Sequence, residues 1–272
     1  MDADAIAFYE EGQEAGRLED WGRLEFVRTM ELLRRFLPPP PARVLDVGGG
    51  AGAYALPLAR RGYEVHLVDA VALHVEQALA AAAADREAAL ASAQIGDARA
   101  LPQPDGEADA VLLLGPLYHL TDGADRQRAL TEALRVLRRA GTLVAVAISR
   151  FASTIDGILR GFLLEPGFEE LVERDLAEGQ HRNPQRVPHW FTTAYFHRPD
   201  ELEREVAAAG FEVRALLAVE GAVGAYGEAG QLDAWLDDAA RRELLMRAIA
   251  RVEAEPSLLG ASPHVMAIAT RP

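Results

Sequence analysis

Apolar and polar positions follow two alternating rhythms along the chain. Helical periodicity runs through residues 1–37 and is clearest where Leu24, Val27, Met30, Leu33 and Leu37 recur on one face. Pro38-Pro39-Pro40-Pro41 cannot continue a helix and makes a stiff extended connector. Behind it, short buried-type runs at 43–47, 64–68, 92–95, 110–114 and 142–148 predict strands, separated by helical stretches at 53–61, 71–90 and 125–139. Gly62 closes the first of those helices. After a lapse the pattern resumes with a helix at 199–209, closed by Gly210, a strand at 211–219 and a last strand at 264–270. Strands alternating with helices argue for a doubly wound, largely parallel α/β sheet.

Two stretches break the rhythm. Residues 151–198 carry helical fragments with Trp190, Phe191 and Tyr195, and residues 221–262 are mostly helical from about 232 to 253. Excursions on the carboxyl side of strands are where α/β proteins place substrate contacts and lids, although they can also be stabilising decoration. The chain therefore reads as one domain over 1–272: a helical segment with its proline connector (1–41), a core (42–150), an insertion (151–198) and a carboxyl-terminal part of the sheet with a helical insertion (199–272).

Composition removes whole chemistries. There is no cysteine, and all 28 basic residues are arginine, which excludes thiolate nucleophiles, disulfides, thiolate metal sites, lysine Schiff bases and lysine-dependent phosphate loops. With 42 acidic residues the formal net charge is −14, which repels nucleic acid and anionic membranes at long range. No apolar stretch approaches the ~20 residues of a membrane span and the start is acidic, so a cytoplasmic protein without nucleic-acid or membrane partners is expected. The histidines show no metal-ligand spacing on a single element, and no metal is expected.

Most of the chemistry sits in Val44-Leu45-Asp46-Val47-Gly48-Gly49-Gly50-Ala51-Gly52. Glycines at a strand-to-helix turn let backbone approach a ligand and take positive φ, and the following helix amino terminus favours a negative group. Gly48, Gly50 and Ala53 also satisfy a dinucleotide fingerprint, and Asp69, about 20 positions on, could bind ribose hydroxyls in either case. Asp46 separates the readings. A carboxylate inside the strand would repel a pyrophosphate but suit a ligand carrying ammonium and sulfonium groups.

These residues resemble the class I S-adenosylmethionine-dependent methyltransferases, by motif over roughly residues 43–150 and by pattern in the final helix and strands. Asp46 to Gly52 looks like the family's acid-x-Gly-x-Gly-x-Gly signature, with Gly48, Gly49, Gly50 and Gly52 at the cofactor. Asp69, with Ala70 beside it, matches the acid on the ribose. Gly96-Asp97-Ala98 matches the adenine position, and Leu114-Gly115 the backbone facing the methionine moiety. The resemblance implies a Rossmann-like, three-layer α/β/α fold of seven strands with an antiparallel last strand. It also implies S-adenosyl-L-methionine as cofactor, S-adenosyl-L-homocysteine as product, and methyl transfer to an N, O, S or C nucleophile by in-line displacement. Each acid also has an ordinary account: Asp46 as a satisfied core carboxylate, Asp69 as a helix cap, Asp97 as a turn residue.

Gly115-Pro116-Leu117-Tyr118 stands where many relatives acting on amide or exocyclic nitrogen carry Asn or Asp before Pro-Pro-aromatic, which favours a small metabolite or natural product as acceptor. Sulfonium is a good leaving group, so alignment supplies most of the rate and a base is needed only for an acceptor that must lose a proton early. Tyr118 and His119 are the local candidates for that role. Tyr9 and Arg17 in a lid, and Arg150, Phe151, Trp190 and Tyr195 around the insertion, are candidate acceptor contacts. The competing functions are an NAD(P)-dependent oxidoreductase and a non-catalytic S-adenosylmethionine-binding protein.

Overall fold

The computed structural model describes Tyr9 and residues 16–20, 22–225 and 232–272. Five strands form first: β1 (Arg43–Val47), β2 (Glu64–Asp69), β3 (Ser92–Ile95), β4 (Ala108–Leu113) and β5 (Leu137–Ile148); β6 (Glu212–Ala218) and β7 (His264–Thr270) complete the sheet. Their order is β3-β2-β1-β4-β5-β7-β6. β1 to β5 pair in parallel, while β7 is antiparallel to both neighbours and sits one place inside the edge. The last strand is thus antiparallel as expected. Strands β1, β4 and β7 are apolar and almost wholly buried because helices cover both faces of the sheet.

The helices are α1 (Arg23–Phe36), α2 (Ala55–Arg60), α3 (Ala72–Ala84), α4 (Pro116–His119), α5 (Gly123–Val136), α6 (Ala152–Leu159), α7 (Phe168–Glu178), α8 (Pro199–Ala208), α9 (Asp233–Asp237) and α10 (Ala239–Ala250). Side chains alternate across each strand, so β1 divides the core. Leu45 and Val47 pack with Leu130 of α5 and Leu202 of α8, and Val44 packs with Leu33 of α1 and Leu58 of α2 on the opposite face. Three layers result.

Boundaries shift for local reasons. The helix expected over 71–90 stops at Ala84, because Asp85 turns extended and caps a single 3-10 turn by accepting from the Glu87 amide. The helix expected over 125–139 ends at Val136; Leu137 is extended, Ala140 takes φ 59, and the chain enters β5 through an irregular pairing with β4. The stretch expected to be mostly helical from about 232 to 253 holds two helices, α9 and α10, separated at Asp238, whose carboxylate caps the second. In the 151–198 insertion, α6 and α7 precede a two-residue hairpin pairing Gln180-His181 with Ala194-Tyr195. Much of the segment expected as a lid over 1–37 lies outside the described residues. Its portion in α1 is anchored: Arg28 is fully buried, donating to the Val219 carbonyl at 2.8 Å and to Glu253 at 2.7 Å. Among the described residues no helix is long and apolar enough to cross a membrane.

Candidate functional site

Parallel register brings three strand ends to one rim, since Val47 of β1 lies opposite Val68 of β2 and Leu113 of β4. The loops leaving that rim surround a cavity of about 640 Å³. Its wall contains Asp46, the turn glycines Gly48, Gly49, Gly50 and Gly52, and Asp69 with Ala70. Gly96, Asp97 and Ala98 follow β3, and Leu114 and Gly115 follow β4, on the same wall. The residues expected around a cofactor are therefore all brought to one place.

Two of the glycines are needed for stated reasons. Gly48 has φ 69, and a Cβ there would sit 2.8 Å from the Pro116 ring; Gly49 would meet the Asp46 carboxylate at 2.8 Å. Gly50 has φ 56, and a Cβ there would meet nothing within 4 Å, so its backbone borders open space. The Gly50 amide donates to Asp69 Oδ2 at 2.8 Å, while Oδ1 accepts from the Val71 amide at 2.8 Å. Asp69 thus ties the glycine turn to the start of α3, and it also meets His74 Nδ1 at 3.2 Å. His74, in the first turn of α3, also lines the cavity, with its ring edge-on to Tyr9.

Asp46 and Asp97 differ in state. Asp46 is 1% exposed, and among the described residues neither carboxylate oxygen has a hydrogen-bond partner. Burial, and then the nearby Asp69 charge, push its carboxyl up to about 7. Asp97 is the reverse: hydrogen bonds from the Arg99 guanidinium hold it down at about 2. Its Oδ1 also accepts from the Arg99 amide at 2.9 Å, an Asx turn.

His119 and Tyr118 follow β4 in α4 and line the same wall. His119 Nε2 and the Tyr9 hydroxyl are 2.7 Å apart, and burial lowers the imidazole to about 3, so it is neutral near pH 7. Tyr118 packs edge-on to His119 with ring centroids 4.6 Å apart.

Beyond this rim lies a second cavity of about 400 Å³, which shares Tyr9, Arg17 and Tyr118 with the first. Phe162, Phe168, Trp190 and Phe191 from the 151–198 insertion line it, joined by His264. Four charges meet near that shared wall. Arg17 donates twice to Glu25, and His264 Nδ1 is 2.6 Å from Glu220 Oε1 and 4.0 Å from Glu25 Oε2. Burial alone would lower His264; the Glu220 and Glu25 carboxylates overcome it and raise the imidazole to about 9. Glu25, Glu220 and His264 also lie close enough to share a cation, but Arg17 and His264 already supply positive charge from within the group. This cluster was missed because its members are far apart in sequence. Only the β6–β7 pairing, which brings Val219 opposite His264, puts the two strand ends together.

Three expected acceptor contacts lie elsewhere. Arg150, Phe151 and Tyr195 are in the wall of neither cavity. Arg150 is buried, donating to the Phe196 carbonyl at 2.6 Å and to Glu201 at 2.5 Å. Tyr195 lies under the Arg126 guanidinium at 3.7 Å, and Phe151 packs against Gly260, where a Cβ would meet its ring at 2.8 Å. A buried guanidinium needs partners more than it needs a view of solvent, and here α8 supplies them. His197 is likewise tied to Glu205, whereas Trp190 faces the second cavity.

Residues 45–145 match the family described as the methyltransferase domain. The chain is 32% identical over 201 residues to a ubiquinone biosynthesis O-methyltransferase of Azorhizobium caulinodans, covering 71% of this chain and 70% of the relative. It is 31% identical over 180 residues to a demethylmenaquinone methyltransferase of Thermus thermophilus, covering 65% and 78%. A SAM-dependent methyltransferase structure from Methanosarcina mazei superposes with TM-score 0.59 at 18% identity, over 88% of this chain and 96% of that one. The chain belongs to the class I S-adenosylmethionine-dependent methyltransferases. It is an enzyme using S-adenosyl-L-methionine, and the oxidoreductase and non-catalytic alternatives fall away.

Proposed function

We propose that the first cavity holds S-adenosylmethionine and that the second takes a small hydroxylated aromatic acceptor of the kind handled in quinone biosynthesis. The observation that carries the first half is Asp46: a buried carboxylate without a partner, in a wall of glycines, fits a ligand that brings a cation. In this reading Asp46 and the backbone of Gly48, Gly49, Gly50, Gly52, Leu114 and Gly115 hold the methionine part. Asp69 with Ala70 holds the ribose, and Gly96, Asp97 and Ala98 hold the adenine. The bound cofactor supplies an activated methyl group on a sulfonium, ready for displacement by a nucleophile.

The protein's part is alignment and the exclusion of water. Tyr9, Arg17 and Tyr118 belong to both walls, so the two reactants meet across them. Holding reactants in line is worth up to ~7–11 kcal/mol of barrier. His119 positions the Tyr9 hydroxyl at that boundary, and its low proton affinity suits it to orient a hydroxyl rather than to take up a proton. Tyr9 and Arg17 act at that boundary as contacts of a lid, beside the anchored α1. The aromatic lining of the second cavity, and relatives named for ubiquinone biosynthesis and for demethylmenaquinone, support an aromatic acceptor methylated at oxygen or ring carbon.

The test is calorimetry with S-adenosylmethionine, S-adenosylhomocysteine and NAD, followed by a methyl-transfer screen of catechols, hydroxybenzoates and hydroquinones. Binding of both sulfur ligands but not NAD, with turnover of at least one phenolic class, is expected. Turnover confined to aliphatic amines or thiols would overturn the acceptor assignment.

A further inference from the structure

We propose that His264, held by Glu220, binds an acidic oxygen of the acceptor (a phenol, enol or carboxylate) at the polar end of the second cavity. This rests on the reading of that cavity as the acceptor site.

Aromatic side chains form much of the second cavity's wall, and the polar groups set between them decide how a ligand sits. Among its histidines, His181 has both nitrogens occupied, one by Asp175 at 2.8 Å and one by the Trp190 carbonyl at 2.7 Å. His189 is paired with Glu165, and Asp156 is paired with Arg160. His264 differs. Both carboxylates that approach it, Glu220 at 2.6 Å and Glu25 at 4.0 Å, come to Nδ1, leaving Nε2 as the nitrogen that neither carboxylate engages.

The holder is itself fixed. Glu220 is 3% exposed, and its Oε2 accepts from the Ser262 hydroxyl at 3.0 Å and from the His264 amide at 3.2 Å. The imidazole therefore cannot swing away from its carboxylate without breaking bonds at the ends of both β6 and β7. The groups facing it are Glu220 at the end of β6, Glu25 on α1 and Arg17 on the turn before α1. The two carboxylates keep the ring protonated at neutral pH, so it donates from Nε2 rather than accepting. The acceptor's acidic oxygen is bound as an anion, its proton having gone to solvent, and an oxygen or ring carbon of that anion becomes the nucleophile.

4-Nitrophenol is a direct probe, because its anion has a visible absorption band that the neutral form lacks. The protein saturated with S-adenosylhomocysteine is expected to bind it and to raise that band below the probe's own pKa. His264→Gln should weaken this binding roughly 10–100-fold, the loss of one hydrogen bond between charged groups, and leave the bound probe colourless. 4-Nitroanisole, which has no acidic oxygen, should bind both proteins alike. Glu220→Gln should still bind the coloured anion at mildly acidic pH, but as pH is raised its tight binding should fall away at a lower pH than in the unaltered protein, because His264 then holds its proton less firmly. Unchanged affinity for S-adenosylhomocysteine in each variant checks the fold. The proposal is overturned if His264→Gln binds and ionises 4-nitrophenol as the unaltered protein does, or if the unaltered protein does not prefer 4-nitrophenol to 4-nitroanisole. Failure to bind S-adenosylhomocysteine, or either nitrophenyl probe, would overturn the reading of the cavities instead.

Discussion

The two cavities are built from different materials. The first is backbone and strand-end acid: its glycines, Asp46 and Asp69 occupy positions dictated by where parallel strands stop. The second is side chain: its aromatic wall comes largely from the 151–198 insertion, and its polar end from Arg17 and His264, which Glu25 and Glu220 hold in place. A wall of backbone can change little without losing the turn, whereas a wall of side chains can be reshaped one substitution at a time. The difference suits one cavity to an invariant ligand and the other to a selectable one.

Four substitutions would break or sharpen that contrast, beginning with the largest effect. Asp69→Ala removes the acceptor of both the Gly50 and Val71 amides and should weaken S-adenosylhomocysteine binding by about 100-fold or more by calorimetry. Wild-type affinity would refute a ribose role.

Asp46→Asn should separate binding from stability. Because its carboxyl is raised to about 7, Asp46 favours the folded chain only while protonated. That contribution is complete below about pH 4 and is lost as pH rises through about 7, a difference of up to about 4 kcal/mol. The variant should therefore melt higher than the parent at about pH 8 without ligand, yet bind S-adenosylhomocysteine about tenfold or more weakly. In the parent, affinity should fall about tenfold per unit below about pH 7, as bound cofactor must expel the proton. A lower melting temperature for the variant would count against the unpartnered carboxylate.

The smallest effect on catalysis separates Trp190 from Tyr195. Trp190→Ala opens the wall of the second cavity and should raise the acceptor KM several-fold. Tyr195→Phe should change KM by less than about twofold and cost stability instead, on the order of 1 kcal/mol, because its hydroxyl bonds Arg150. Equal KM effects would show that the cavity boundary is drawn wrongly.

The same division explains what the sequence made legible. Strands β1 and β7 could be read from apolar runs, β3 from its place in the strand–helix alternation, and the residues of the first cavity from their places at strand ends. Those positions are local: a strand, its turn and the acid after it lie within a few residues. Arg150, Phe151 and Tyr195 were misplaced because closeness along the chain to β5 or to an aromatic cluster does not fix which way a side chain turns. Arg126, Glu201 and Glu205 decide that, and no short-range pattern names them. His74 and His264 were passed over for the same reason. One depends on Tyr9 arriving from the amino terminus, the other on two strand ends meeting across the sheet.

The shared wall of Tyr9, Arg17 and Tyr118 has a thermodynamic consequence. Two ligands that touch the same side chains are not independent, and linkage makes their influence reciprocal. Whatever factor the cofactor contributes to the acceptor's affinity, the acceptor must return to the cofactor. With cofactor and acceptor in the two cavities as proposed, each is held with a strength that depends on what lies on the other side of Tyr9.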